Sequence, residues 1–121
     1  MLPKQERLTR NSEFVYVYSR KRSVANSLLV LYVTNPKRDV SVPTRVGFIV
    51  GKKVHKHAVK RNRAKRLIRE VYKTMRKAED FPLKNFQHLI FIARDKIVEA
   101  NYQQVYDAVE DCIKKAAKKF V

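Results

Sequence analysis

Between Lys56 and Lys77 the chain sets ten basic side chains against one acid, Glu70, yet keeps an unbroken apolar stripe. At about 100° per residue, Ala64, Leu67, Ile68, Val71, Tyr72 and Met75 fall on one side of a helix. Asn62, Lys65, Arg66, Arg69, Lys73 and Arg76 project from the other, with Arg61 and Arg63 on the flanks. Such a segment has few ways to fold: one face must lie on a core and the other must stay outward. On an ordinary solvated helix acids alternate with bases, because like charges at i,i+4 repel by about 0.2–0.5 kcal/mol a pair. Within Lys60–Arg69 six of ten residues are cations and none is an acid. A polyanion relieves that repulsion, and nucleic acid is the leading candidate. Cations near the helix start add to its positive N-terminal field, where phosphate is favoured. Several of them are Arg, which suits bidentate contact with phosphate or guanine. Asn62, between Arg61 and Arg63, either bonds a base or ribose or braces neighbouring backbone.

The remaining chain supplies what this helix packs on. At 121 residues and 45% hydrophobic content, one domain spanning 1–121 with a modest core is expected. The charge of +17, from 28 bases and 11 acids, exceeds what solubility needs. Met1–Arg7 has no apolar signal core and no apolar run reaches membrane-spanning length, so a soluble cytoplasmic protein without a membrane partner is expected. Cys112 stands alone, which excludes an internal disulfide and a thiolate cluster.

Residues 1–10 read as an irregular arm, followed by a short helix capped by Asn11 or Ser12 and running to about Ser19, with Phe14, Val17 and Tyr18 on one face. Arg20–Ser23 turns the chain, and Val24-Ala25 is a very short edge strand. Ser27–Val33 is a strand apolar on both faces, so both should be covered. Thr34–Thr44, with Pro36 and Pro43, is a loop, and Arg45–Val50 a second strand expected to pair antiparallel with the first. Gly51–Ala58 leads into the basic helix, Ala78–Gln87 with Pro82 is a loop, and His88–Ala93 is a third full strand. A last helix, about Tyr102–Lys119, should bury Val105, Ala108, Val109, Cys112, Ile113 and Ala116. The order α-β-β-β-α-β-α, its first strand short, predicts an α+β fold with helices packed on a mixed sheet.

Catalytic chemistry has little to stand on. His55, His57 and His88 form no base–nucleophile pattern, and His55 and His57, two apart, lack the i,i+4 helical spacing of a metal pair. The acids are scattered, with no paired-carboxylate metal site, and two glycines exclude a Gly-rich phosphate loop. Cys112, on an apolar stripe, reads as a buried structural thiol. Phe14, Tyr18 and Tyr32 admit two roles: fastening the first helix to the sheet, or lining a groove on which unpaired bases stack while Lys52 and Lys53 hold the backbone.

Nearly the whole chain resembles the protein subunit family of bacterial ribonuclease P. The resemblance lies in Arg7-Leu8, Phe14-x-x-Val17-Tyr18, Leu29–Tyr32, Arg45-Val46-Gly47, Lys52-Lys53, Ala58–Arg69 and Ile90–Arg94, and its most specific part is Arg61-Asn62-Arg63-x-Lys65-Arg66. It implies a small basic partner of a catalytic RNA that removes the 5′ leader from precursor tRNA. The RNA supplies the active site and holds the Mg²⁺, and the protein is not catalytic alone and needs no protein oligomer. It also implies a two-layer sandwich with a mixed four-stranded sheet and a left-handed β-α-β crossover, against the usual hand. At matching positions Arg61, Asn62, Arg63, Lys65, Arg66 and Arg69 would contact the catalytic RNA. Phe14, Tyr18, Tyr32, Lys52 and Lys53 would line the cleft for the single-stranded leader. Val54–His57 lacks the glycine many members carry, and Tyr18 stands where Phe is common. Alternatives are a small structural or ribosomal RNA-binding protein, an RRM-type binder faintly suggested by Arg45–Val50, and a stand-alone nuclease lacking its acid–base set.

Overall fold

The computed structural model describes residues 2–37, 39 and 41–120; positions 38 and 40 of the expected loop lie outside them. Three helices, α1 (Asn11–Ser19), α2 (Ala58–Met75) and α3 (Tyr102–Phe120), accompany four strands, β1 (Ser23–Ala25), β2 (Leu29–Val33), β3 (Arg45–Ile49) and β4 (His88–Ala93). Two short 3-10 turns, Lys4–Glu6 and Asp95–Glu99, were not expected from the pattern. The mixed sheet and the order of its elements agree with the α+β expectation.

One pairing differs. The spatial order is β1-β2-β4-β3, so β3 does not pair with β2; β4 lies between them, antiparallel to β2 and parallel to β3. The physical reason lies in β4 itself: Leu89, Ile90 and Phe91 are all fully buried, with α1 covering Ile90 on one face and the main core covering Leu89 and Phe91 on the other, the burial of a central strand. The long 34–44 connection is no tight hairpin loop, and the β3-α2-β4 crossover delivers a parallel neighbour.

The pleat divides the sheet's side chains. Leu29, Leu31 and Val33 of β2, Val46 of β3, and Leu89, Phe91 and Ala93 of β4 join the main core with α2 and α3. From α2 it receives Ala64, Ile68, Val71 and Tyr72, with Leu67 and Met75 partly buried beside them. All six expected α3 residues are buried, and burial first of all pushes the Cys112 thiol up to about 12. On the other face α1 covers Ile90 with Val17, and Leu8, Phe14, Tyr18 and Tyr32 complete a smaller cluster. The region after α2, expected as a plain loop, buries Phe81, Leu83 and Phe86.

Two local details also depart from expectation. Arg10 occupies the cap position of α1 in extended geometry and makes no side-chain cap bond, so neither Asn11 nor Ser12 caps that helix. The second strand starts at Leu29 because Asn26 organises the turn before it. Its Oδ1 accepts from the N–H groups of Leu28 (3.0 Å) and Leu29 (2.9 Å), while its Nδ2 donates to Ala108 O of α3 at 2.9 Å.

Candidate nucleic-acid interface

With its apolar stripe sealed, α2 presents the rest of its surface outward. Asn62, Arg63, Lys65 and Arg66 are exposed, and Arg61 and Arg69 half-buried. Their engagements differ. Arg61 Nη1 donates to the carbonyls of His55 (2.8 Å) and Lys56 (2.9 Å), so this cation braces the connection into its own helix. Arg63 Nη2 reaches Ala100 O at 3.5 Å. The side chains of Asn62, Lys65, Arg66 and Arg69 make no hydrogen bond or ion pair with the described residues. Arg76, which the projection also placed outward, is held at 2.6 Å by Glu6 of the arm and so serves the fold.

The connection before α2 carries a local device. His57 N–H donates to His55 Nδ1 at 3.0 Å, which requires that nitrogen unprotonated. Burial, and then the fields of His57, Lys60, Lys56 and Arg61, lower the His55 pKa and favour this acceptor form. Lys52 and Lys53 stand exposed on the turn leaving β3, just beyond Ile49, which belongs to the aromatic cluster.

Phe14, Tyr18 and Tyr32 do come together, all half-buried. Tyr18 and Tyr32 meet edge to face, with centroids 5.1 Å apart and planes at 81°. Burial first, and Tyr32 second, raise the Tyr18 hydroxyl pKa, so it remains a neutral donor at physiological pH. Phe14 packs where Gly47 of β3 has no side chain. These rings fasten α1 to the sheet and keep part of their surface open to solvent.

Sequence reasoning missed a network on the other flank of α1. Glu13 pairs with Arg45 Nη1 at 3.2 Å and His88 Nε2 at 3.3 Å, and Thr34 Oγ1 lies 3.4 Å from His88 Nδ1. Burial lowers the His88 pKa, and Glu13, pulling the other way, does not reverse it. Exposed Tyr16 meets the His88 ring edge-on at 6.2 Å. These partners are dozens of residues apart, so no spacing pattern announces them.

Among the described residues no group of three or more His, Cys, Asp or Glu side chains converges as a metal site, and no helix is long and apolar enough to cross a membrane. A flat cationic helix face beside half-open rings is the chemistry of phosphate contact and base stacking.

Comparison with known proteins points the same way. The Ribonuclease P family model matches residues 2–117. The ribonuclease P protein component of Clostridium botulinum (strain Loch Maree / Type A3) is 39% identical over 113 residues, covering 93% of this chain and 96% of that one. That of Clostridium kluyveri is 40% identical over 110 residues, covering 91% and 93%. The RNase P protein of Staphylococcus aureus superposes with a TM-score of 0.77 at 31% identity, covering 98% of this chain and 100% of that one. The RNase P protein from Thermotoga maritima, at 24% identity and a TM-score of 0.73 over 91% of this chain and 96% of that one, shares the fold.

Proposed function

The chain belongs to the ribonuclease P protein family and is the protein component of that tRNA-processing enzyme, from which we propose a division of labour between its surfaces. Its partner in the ribonucleoprotein is ribonuclease P RNA, and family membership sets aside the reading as a structural RNA-binding protein outside any enzyme. In this proposal the outward face of α2 holds the catalytic RNA through Arg61, Asn62, Arg63, Lys65, Arg66 and Arg69. The groove of Phe14, Tyr18 and Tyr32, with Lys52 and Lys53, receives the single-stranded 5′ leader of precursor tRNA. Stacking and phosphate contact carry little base information, so leader binding is sequence-tolerant.

The observation that carries this reading is the state of Lys65, Arg66 and Arg69. Three cations on one exposed face lack any acid among the described residues, on a helix whose opposite stripe is locked in the core. In this proposal the Mg²⁺ used in hydrolysis of the leader phosphodiester is held mainly by the RNA. The chain's own residues bind, neutralise backbone charge and orient the leader, which raises substrate affinity and assists Mg²⁺ occupancy in the assembled enzyme. A cytoplasmic location accords with this task.

The test uses 5′-extended precursor tRNA at low Mg²⁺, with the protein alone, a bacterial ribonuclease P RNA alone, and both. Cleavage that requires the RNA and is stimulated by the protein supports the proposal. Cleavage by the protein alone, or no stimulation, would sink it.

A further inference from the structure

The edge of the sheet formed by β1, opposite β3, carries cations of its own. Arg22 and Asn26 bond across to β2, so strand alternation turns the backbone groups of Ser23 and Ala25 outward. Lys115 of α3 donates from Nζ to Ala25 O at 3.0 Å, and Lys119 to Ser23 O at 3.5 Å. With these outward carbonyls covered by ammonium groups, the edge presents mainly hydrogen-bond donors. Together with Val24 and Lys118, these residues line a broad concavity of about 680 Å³, and no acid is among its lining.

The turn leading into β1 adds Arg20, Lys21 and Arg22 to the same end of the fold. The Arg22 guanidinium lies 5.9 Å from the Phe120 ring centroid and Lys119 Nζ 5.3 Å from it, so one ring gathers two cations. Lys21 is exposed and has φ 55°, a left-handed backbone that favours glycine, yet a cation stands there. The side chains of Lys21 and Lys118 make no hydrogen bond or ion pair with the described residues. Lys115 is held by Asp111 at 2.9 Å, and that acid, with Glu99 and Asp107, belongs to the groove beside Asn26 along the first half of α3. Lysines near a helix C-terminus steady its dipole, and lysines on an edge strand deter pairing. Neither role calls for the three cations of the 20–22 turn.

A cationic edge rich in donors fits a ligand rich in acceptors, such as a phosphodiester backbone. No aromatic side chain lines the concavity, so it offers phosphate contact without base stacking. That suits a base-paired segment rather than an unpaired strand. We propose that the β1 edge, the 20–22 turn and the end of α3 form a second grip on the catalytic RNA, holding the backbone of a base-paired segment through Lys21 and Lys118. α3 packs beside α2 on one face of the sheet, so an RNA seated on α2 has neighbouring helical elements within reach of the α3 end. This rests on the same RNA partner as the α2 contact and goes beyond it. The chain becomes a bivalent clasp, with one contact beside β3 and the other at β1.

Affinity of the full chain for a bacterial ribonuclease P RNA, measured across salt concentrations, tests this. Lys21→Gly removes a cation and relieves the left-handed backbone, so a merely structural role predicts a more stable fold and unchanged binding. Lys118→Gln removes the unengaged cation of α3. Lys114→Gln, whose ammonium pairs with Glu110 outside the concavity, controls for net charge. The log–log salt slope should fall by about 0.7–0.9 in Lys21→Gly and again in Lys118→Gln, and hold in Lys114→Gln. Circular dichroism checks that each chain is folded, and affinity of the assembled enzyme for precursor tRNA should stay at the wild-type level. A wild-type slope in either edge variant, an equal fall in Lys114→Gln, or a loss confined to precursor tRNA overturns the second grip. The proposed function would still stand in each case, because it fails only if the wild-type protein gives no stimulation.

Discussion

The Phe14 ring lies over Gly47 so closely that a β-carbon at position 47 would stand 2.8 Å from its Cε1 and 2.9 Å from its Cζ. Gly47→Ala must therefore displace the ring or the strand, with an expected stability loss of about 1 kcal/mol. Affinity of the assembled enzyme for the leader should fall roughly fivefold or more, the loss expected when one stacked ring is misplaced. Adding Phe14→Leu to Gly47→Ala should recover most of the stability and none of the affinity. Denaturant melts and leader-dependent binding check both parts.

Arg66 and Arg76 sit on the same helix and should answer differently. Arg66→Ala removes an unengaged surface cation, so folding stability should hold while the log–log salt slope of RNA binding falls by about 0.7–0.9. Arg76→Ala breaks the 2.6 Å pair with Glu6, so it should cost about 1 kcal/mol of stability and leave the slope unchanged. An unchanged slope in Arg66→Ala would remove that residue from the interface.

Asn26 connects the β1–β2 turn to α3 through three backbone contacts. Asn26→Ala leaves two N–H groups and one carbonyl without that partner, at an expected cost of about 1–3 kcal/mol. Leader affinity of the folded fraction should match wild type. A chevron or thermal melt, paired with binding at low temperature, separates the two.

His88 gives stability a pH dependence with a definite sign. Burial holds its pKa below the ordinary 6.5, so as pH falls through that value the unfolded chain takes up the proton first. Its contribution is thus full above about pH 6.5 and shrinks as the pH falls towards the folded value. His88→Gln should flatten the melting-temperature difference between pH 7.5 and 5.5 relative to wild type. A steeper dependence in the variant would refute the assignment.

Legibility from sequence followed the range of the forces involved. Period-3.6 burial is local, so the stripes of α2 and α3 were readable residue by residue, down to Cys112 and Ala116. Strand neighbours are set by which strand has two apolar faces to hide, and Leu89–Phe91 settle that only once helices cover both sides. The antiparallel expectation for β3 failed there. At the site, the outward face of α2 and the gathering of Phe14, Tyr18 and Tyr32 could be anticipated. The removal of Arg76 into a pair with Glu6, the bracing role of Arg61 and the Glu13–His88 contact could not, because each joins groups that only the folded chain brings together.

The central place of β4 also sets a schedule for the nascent chain. Until residues 88–93 leave the ribosome, β2 and β3 have no common seam, and the upstream sequence can close only the small β1–β2 hairpin. A highly cationic polypeptide of almost ninety residues must therefore wait, most of its sheet unassembled, among the polyanions of the translating cell. A chain truncated before position 88 should be protease-sensitive, and the chain that carries both β4 and the α3 packed on the sheet protease-resistant, with assembly of the sheet awaiting its last strand.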